Sequence, residues 1–303
     1  MKRALFIYNP KSGNGNITRY IDMVIAKSEE KGFVVIPHRI TNDEYLDEFL
    51  QEVCNMDIDR TIIAGGDGTI HRIINKLYLF NIECKIGILA VGTANDFAYH
   101  LNIPKQIDDM IDLSFSDEMS KCDIGKANNE YFINVASMGF LIDISQRTNP
   151  NLKNNIGVLA YYIKGIEELP RLKPIKIDIE SDECTLKDQD IYFMLIMNGK
   201  SAGGFKKISP TSLINDGYLD VIIFKKTTLI DIVPLVINLV NGEHINNANV
   251  IHFQTKKLRI DCKEQDIGTD LDGEVGPNFP INISIAKKSL SICSTINSHR
   301  GDD

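Results

Sequence analysis

Gly65-Gly66-Asp67-Gly68-Thr69 decides the reading of this chain. Ahead of it runs Arg60-Thr61-Ile62-Ile63-Ala64, with the apolar character of a buried strand. Behind it, Ile70, Ile73, Ile74 and Leu77 recur at i, i+3, i+4 and i+7, the spacing of one helix face. A glycine-rich turn between strand and helix lets the main chain approach a phosphate closely. The N–H groups at the helix start then point at the anion, and the helix dipole favours its charge. A carboxylate inside the same turn, Asp67, would repel a bare phosphate, so this reading includes a cation between the two. The same glycines also suit a plain tight turn that requires positive φ, and the motif alone leaves both readings open.

Outward from this turn, strand and helix signals alternate. Ala4 to Tyr8 and Phe33 to Ile40 read as strands, and Lys85 to Val91 as another, followed by a second Gly-Thr turn. Ile17, Ile21, Val24 and Ile25 form a helical stripe that Gly32 would stop. Thr41-Asn42-Asp43 offers N-caps for a helix with the face Leu46, Phe49, Leu50, Val53. Strands separated by helices predict a mostly parallel, doubly wound, Rossmann-like sheet over residues 1–124, with ligands outside the carboxyl ends of the strands.

The character changes near Asp123. Tyr131 to Ala136, Ile175 to Glu180, Ile191 to Met197, Leu219 to Phe224, Val250 to Gln254, Leu258 to Asp261 and Ile281 to Ile285 all carry β signals. Only Ile156 to Leu169 and Leu229 to Val240 show short helical patterns between them. The expectation for residues 125–290 is an antiparallel, β-sandwich-like domain. Residues 291–303 form a C-terminal segment that could return to the first domain, with Ser298 to Asp303 as a frayed tail.

Of 303 residues, 43% are hydrophobic and 24% charged, as in ordinary globular proteins. A net charge of −8 argues against a general nucleic-acid binder, which needs excess cations to displace counterions. Local basic clusters remain at Lys206-Lys207, Lys225-Lys226 and Lys256-Lys257 with Arg259. Cys54, Cys84, Cys122, Cys184, Cys262 and Cys293 are scattered without CxxC or Cys/His ligand spacing, so reduced thiols in a cytoplasmic protein are expected. The apolar stretch Leu229 to Val240 is interrupted by Asp231, Pro234 and Asn238 and is too short to span a bilayer.

Three further segments carry reactive groups. Asn9-Pro10-Lys11-Ser12-Gly13 suits either a phosphate-facing loop or an ordinary turn after a strand. Gly92-Thr93-Ala94-Asn95-Asp96-Phe97-Ala98 places a hydroxyl, an amide and a carboxylate at a helix start, where simple capping explains them equally. Thr269-Asp270-Leu271-Asp272-Gly273-Glu274 alternates acids beside a glycine, as an exposed turn or as a base and cation site.

Taken together, these segments resemble the signature of the soluble diacylglycerol kinase catalytic domain. Asn215-Asp216-Gly217-Tyr218-Leu219-Asp220 and Asp272-Gly273-Glu274 match its second-domain motifs. The order and spacing fit bacterial diacylglycerol and lipid kinases, which are similar to sphingosine and ceramide kinases, over nearly the whole chain. The resemblance implies an active site in a cleft and ATP-dependent transfer of the γ-phosphoryl group to a lipid hydroxyl, most readily of diacylglycerol. It places the nucleotide on Asn9, Pro10, Lys11, Ser12, Gly13, Thr41, Gly65, Gly66, Asp67, Gly68, Thr69, Thr93, Asn95 and Asp96. It makes Asp272 the general base, with Asp67 and Glu274 in the catalytic set. A structural Mg²⁺ is implied at Asp216 and the carbonyls of Leu213 and Tyr218. Asp67, Asp96 and Asp123, with Lys11 among them, are implied as an acidic network near a catalytic Mg²⁺.

The chain departs from the family pattern at His71 and Arg72, where an acid and a preceding Asn are frequent, and at Gly203-Gly204, where three glycines are common. Two other functions are weighed: a small-molecule kinase of the NAD-kinase type, which shares the GGDGT loop, and an inactive nucleotide-binding regulator. The expected partner is lipid at a membrane surface, met transiently by a cytoplasmic protein. A homodimer is left open, as is the identity of the lipid.

Overall fold

The computed structural model describes residues 1–139, 173–203, 206–264 and 267–295. The helical pattern at 156–169, Gly204 and the tail from Ser298 lie outside the described residues. The chain divides into two compact units: Met1–Cys122 with Lys288–Asp303, and Asp123–Lys287.

The first unit is built from β1 (Lys2–Tyr8), α1 (Ile21–Glu30), β2 (Phe33–Arg39), α2 (Asp43–Val53), β3 (Arg60–Gly65), α3 (Asp67–Leu79), β4 (Lys85–Ala90), α4 (Asp96–His100) and α5 (Ile107–Ser114). Its strands lie in the order β2-β1-β3-β4, all parallel. Ser291 and Ile292 extend the sheet beside Lys85 and Ile86 of β4, again in parallel. Every residue of β3 is buried, as a central strand covered on both faces requires. From β1 the chain goes to β2 on one side, then to β3 on the other. The reversal opens a crevice at the carboxyl ends of β1 and β3, where open α/β sheets place their ligands.

Local chemistry fixes the element ends. Asn42 accepts the Tyr45 N–H at 2.9 Å and starts α2, whose Leu46, Leu50 and Val53 are buried. The stripe from Ile17 to Ile25 is not one helix. Ser12–Tyr20 is a 3-10 segment, with Gly13 and Gly15 at φ of 60° and 80°, and α1 starts only at Ile21. Arg60 is fully buried at the start of β3. Its guanidinium donates to Ser114 O at 2.8 Å and Ser116 O at 3.2 Å, pinning the end of α5, and stacks over Phe33 at 4.4 Å.

The strand β5 (Met119–Ala127) leads into the second unit, followed by β6 (Glu130–Phe132), β7 (Val135–Gly139), β8 (Ile175–Ser181), β9 (Thr185–Met197), β10 (Leu219–Lys225), α6 (Leu229–Asn241), β11 (Val250–Thr255), β12 (Lys257–Cys262), β13 (Thr269–Leu271), β14 (Glu274–Val275) and β15 (Ile281–Cys293). Its strands pair antiparallel, as an antiparallel β-sandwich. β9 is the hub: its first half pairs with β8, its second half with β7 on one side and β10 on the other. Met194 and Ile196 of β9 join Val221, Ile223 and Ile260 in the main core. The alternate residues Leu195 and Met197 pack with Ile222 and Phe224 beneath Leu235 of α6. Both faces of this part of the sheet are therefore apolar, which explains the nearly unbroken hydrophobic runs of β9 and β10. The expected strand from Tyr131 to Ala136 is broken at Ile133 and Asn134.

Candidate active site

In the first unit, three turns at the carboxyl ends of β1, β3 and β4 are locked together. Asn9 is the hub of the first: its Oδ1 accepts the Lys11 N–H at 3.0 Å, and its Nδ2 donates to Thr69 Oγ1 at 3.1 Å. That second bond spans the β1/β3 crevice. Gly66 and Gly92 meet backbone to backbone. A Cβ on Gly92 would lie 2.4 Å from the Gly66 Cα, and one on Gly65 would lie 2.4 Å from the Thr69 Cβ. Glycine is required here by close approach, as in a backbone cradle for phosphate. Gly13, with φ of 60°, comes within 3.1 Å of Val91 O by its virtual Cβ and closes the same edge.

The polar side chains of these turns divide by task. Asn95 sits at φ 50°; its Oδ1 accepts the Gly92 N–H at 2.9 Å, and its Nδ2 donates to Ala90 O and Gly92 O. It shapes the turn. Asp67 accepts the Phe97 N–H at 3.1 Å, tying the glycine-rich turn to the start of α4. Asp96 is buried at that start, whereas Lys11, Thr41 and Thr93 are exposed and Pro10, Ser12 and Gly68 are partly so. Arg72 pairs with Asp43 of α2 at 2.6 Å, and His71 is buried within α3 beside Asn75.

In the second unit, Asp272 and Gly273 form the two-residue turn of the β13–β14 hairpin, with φ of 54° and 96°. The Asp272 carboxylate collects three main-chain N–H groups: Ile133 at 2.6 Å, Asn134 at 2.9 Å and Val135 at 2.8 Å. The break between β6 and β7 is the geometry that presents them. Asp270, buried, accepts the Gly273 N–H at 2.8 Å, while Glu274 is exposed. Asp123, fully buried, accepts the Gly217 N–H through Oδ2 at 2.6 Å, which brings it to the loop of Leu213, Asp216 and Tyr218. Burial pushes the Asp216 carboxyl up, Tyr218 N–H at 2.9 Å draws it down, and the nearby Asp220 and Asp123 push it up again; the net direction is up. A cation beside this loop would relieve that crowding of negative charge. Among the described residues no three His, Cys, Asp or Glu side chains converge as a ready metal site.

Residues 3–127 match the diacylglycerol kinase catalytic domain, and residues 134–294 match the YegS C-terminal NAD kinase beta sandwich-like domain. The diacylglycerol kinase of Bacillus subtilis (strain 168) is 35% identical over 281 residues, 92% of either chain. The chain belongs to the diacylglycerol kinase family. The diacylglycerol kinase of Staphylococcus haemolyticus (strain JCSC1435) is 33% identical over 97% of this chain and 88% of its own. A crystal structure described as a diacylglycerol kinase from Bacillus anthracis strain Sterne shares the fold, with a TM-score of 0.79 at 24% identity, covering 97% of this chain and 98% of that one. As a member of the diacylglycerol kinase family, the chain is an enzyme of the lipid kinase type.

Two residues of this family member escape a reading of its motifs. Asn198, fully buried, donates from Nδ2 to Asp123 O at 3.0 Å and Ile133 O at 2.8 Å. Asn134, also buried, donates to Ser201 O. The available signal was the lone Asn closing the apolar run of β9, a polar side chain at a position where the strand is otherwise buried.

Proposed function

We propose that this enzyme transfers the γ-phosphoryl group of ATP to the free hydroxyl of diacylglycerol, giving phosphatidic acid and ADP. The observation that carries the reading is the contact of Gly66 with Gly92 beside the Asn9–Thr69 bond, a glycine cradle at the switch point of the first sheet. Gly65 to Thr69, the turn from Asn9 to Gly13, Thr41 and Thr93 hold the nucleotide, with Asn95 and Asp96 setting the third turn. Asp272 takes the proton as the lipid hydroxyl oxygen bonds to the γ-phosphorus and the bond to the β–γ bridging oxygen breaks. The N–H groups of Ile133, Asn134 and Val135 fix that carboxylate, so little reorganisation accompanies proton transfer. Leu213, Asp216 and Tyr218 would hold a structural Mg²⁺, and Asp67 would face a second; bound Mg²⁺ neutralises phosphate charge in this class of reaction.

No helix among the described residues is long and apolar enough to cross a membrane. Because the proposed substrate is a lipid, the meeting place would be a membrane surface, with the lysine pairs at 206–207 and 225–226 as the contact, at about 1 kcal/mol per cation near an anionic leaflet. The test is labelling with [γ-³²P]ATP over a panel of diacylglycerol, phosphatidylglycerol, a sphingoid base and NAD, with and without chelator. Labelled phosphatidic acid that disappears with chelator is expected. Labelling of NAD alone would replace the reading by the small-molecule kinase one, and labelling of none would leave a nucleotide-binding regulator.

A further inference from the structure

We propose that Asn198 is a positioning residue that sets Asp272 and the Asp216 loop from a single buried carboxamide. The inference rests on Asp272 acting as the base. Both partners of the Asn198 side chain are carbonyls, Asp123 O at 3.0 Å and Ile133 O at 2.8 Å, so the nitrogen end of the amide must face them. The Asn198 main-chain N–H donates to Asn134 O at 2.8 Å. Asn198 therefore grips Ile133 and Asn134 by their carbonyls, while the N–H groups of Ile133, Asn134 and Val135 hold the Asp272 carboxylate.

The same amide nitrogen also reaches the Asp216 loop, through Asp123. Asp123 accepts from Asn198 at its carbonyl, donates its N–H to Ile214 O at 2.8 Å, and accepts the Gly217 N–H through Oδ2 at 2.6 Å. Gly217 follows Asp216 directly. Two side chains that motif reading assigns to different tasks are thus set by one group, which touches neither. No alternative side chain offers two donors at this length: Asp presents acceptors, Ser one donor, Gln an extra methylene in a buried site.

Two measurements on the full chain test this. In hydrogen exchange without any ligand, Asn198→Ala should speed exchange at Ile133–Val135 and at Gly217 at least tenfold. Exchange in β12, around Ile260, should stay as in the wild type. Uniform acceleration over the second unit would mean a general core contact and overturn the proposal. In single-turnover assays, Asn198→Ala should lower phosphoryl transfer about ten- to a hundredfold with ATP affinity within twofold of wild type. In an Asp272→Asn background the same change should cost clearly less than in the wild type, because the share of its effect that passes through Asp272 is already gone. Equal losses in both backgrounds would overturn it. Should the Ala variant not fold, the isosteric Asn198→Asp, which faces the two carbonyls with acceptor oxygens, takes its place with the same expected pattern. If the wild type phosphorylates no lipid, the kinase reading fails while the exchange measurement still decides the positioning role.

Discussion

Asp67, the acid of the glycine-rich turn, accepts the N–H of Phe97 through Oδ1 at 3.1 Å, thirty residues further along the chain. One carboxylate thus serves the start of α4 while standing in the turn proposed to meet phosphate and cation. Removing it should have two separable effects. Asp67→Ala loses the cap, at about 1 kcal/mol, and the charge. Asp67→Asn keeps an acceptor for Phe97 and loses only the charge. Thermal unfolding should therefore shift for Ala and hardly for Asn, while turnover falls at least about tenfold in both. Wild-type turnover in both variants would leave Asp67 as a helix cap only.

Gly92 faces Gly66 with no room for a methyl group. Gly92→Ala would drive a Cβ to 2.4 Å from the Gly66 Cα and 2.7 Å from Asn95 Oδ1, both fixed by the turns they shape. The expected cost is about 1–3 kcal/mol of stability, with ATP affinity reduced at least about tenfold as the cradle opens. Gly32→Ala is the control. That residue has φ of 78° with nothing near its virtual Cβ, so the cost of about 1 kcal/mol is conformational and nucleotide binding stays unchanged. A thermal-shift titration with ATP on both variants measures the difference.

The first unit was legible because its signals are local. Arg60 to Ala64, the glycines after it and the Ile70 stripe lie side by side in sequence, and the same holds around Asn9 and Gly92. The second unit was legible as strands but not as a site. Asp272 is held by N–H groups up to 139 residues away, at a break in what reads as one strand from Tyr131 to Ala136. A main-chain N–H has no sequence signature, so no pattern in Thr269–Glu274 distinguishes Asp272 from Asp270. The motif Asn215 to Asp220 shows the same limit. Its two acids look alike, yet Asp216 lies partly open in a loop whereas Asp220 is buried among Ser212, His252 and Gln254. The segments β5, β13 and β14 were missed for a simpler cause: they are short or carry charged residues, and tertiary pairing alone makes them strands.

Acid should loosen both units through their buried histidines. Burial lowers His244, which is fully buried and stacked on Phe224, and burial likewise lowers His38, stacked on Phe49 at 4.2 Å. Their ordinary value is 6.5, so as pH falls through 6.5 the unfolded chain takes up protons that the folded chain resists. Stability present above that pH is lost below it, at up to about 1.4 kcal/mol per pH unit for each group. Unfolding midpoints between pH 5 and 8 should fall toward the acid end. His244→Phe, which keeps the ring contact, should flatten that slope for the second unit and leave the His38 share in the first. An unchanged slope would mean that His244 takes up its proton in the folded state as readily as in the unfolded one.

The assignment of the base can be decided within one short hairpin. Asp272 holds three N–H groups with two oxygens, whereas Asp270 holds the Gly273 N–H with one. Asp270→Asn can keep its acceptor for the Gly273 N–H. Asp272→Asn cannot keep both of its acceptors, since its amide must point N–H at N–H on one side, leaving a donor unsatisfied at about 1–3 kcal/mol. The Asp272 variant should therefore melt earlier as well as react more slowly, with turnover down about 10²–10⁴-fold for a lost general base. ATP affinity, which the proposed function assigns to the first unit, should change little in either variant. Single-turnover rates measured well below both melting points separate the chemical loss from the structural one. If Asp270→Asn abolishes transfer while Asp272→Asn reacts at near wild-type rate, Asp270 is the base and the three N–H groups serve only to hold the hairpin.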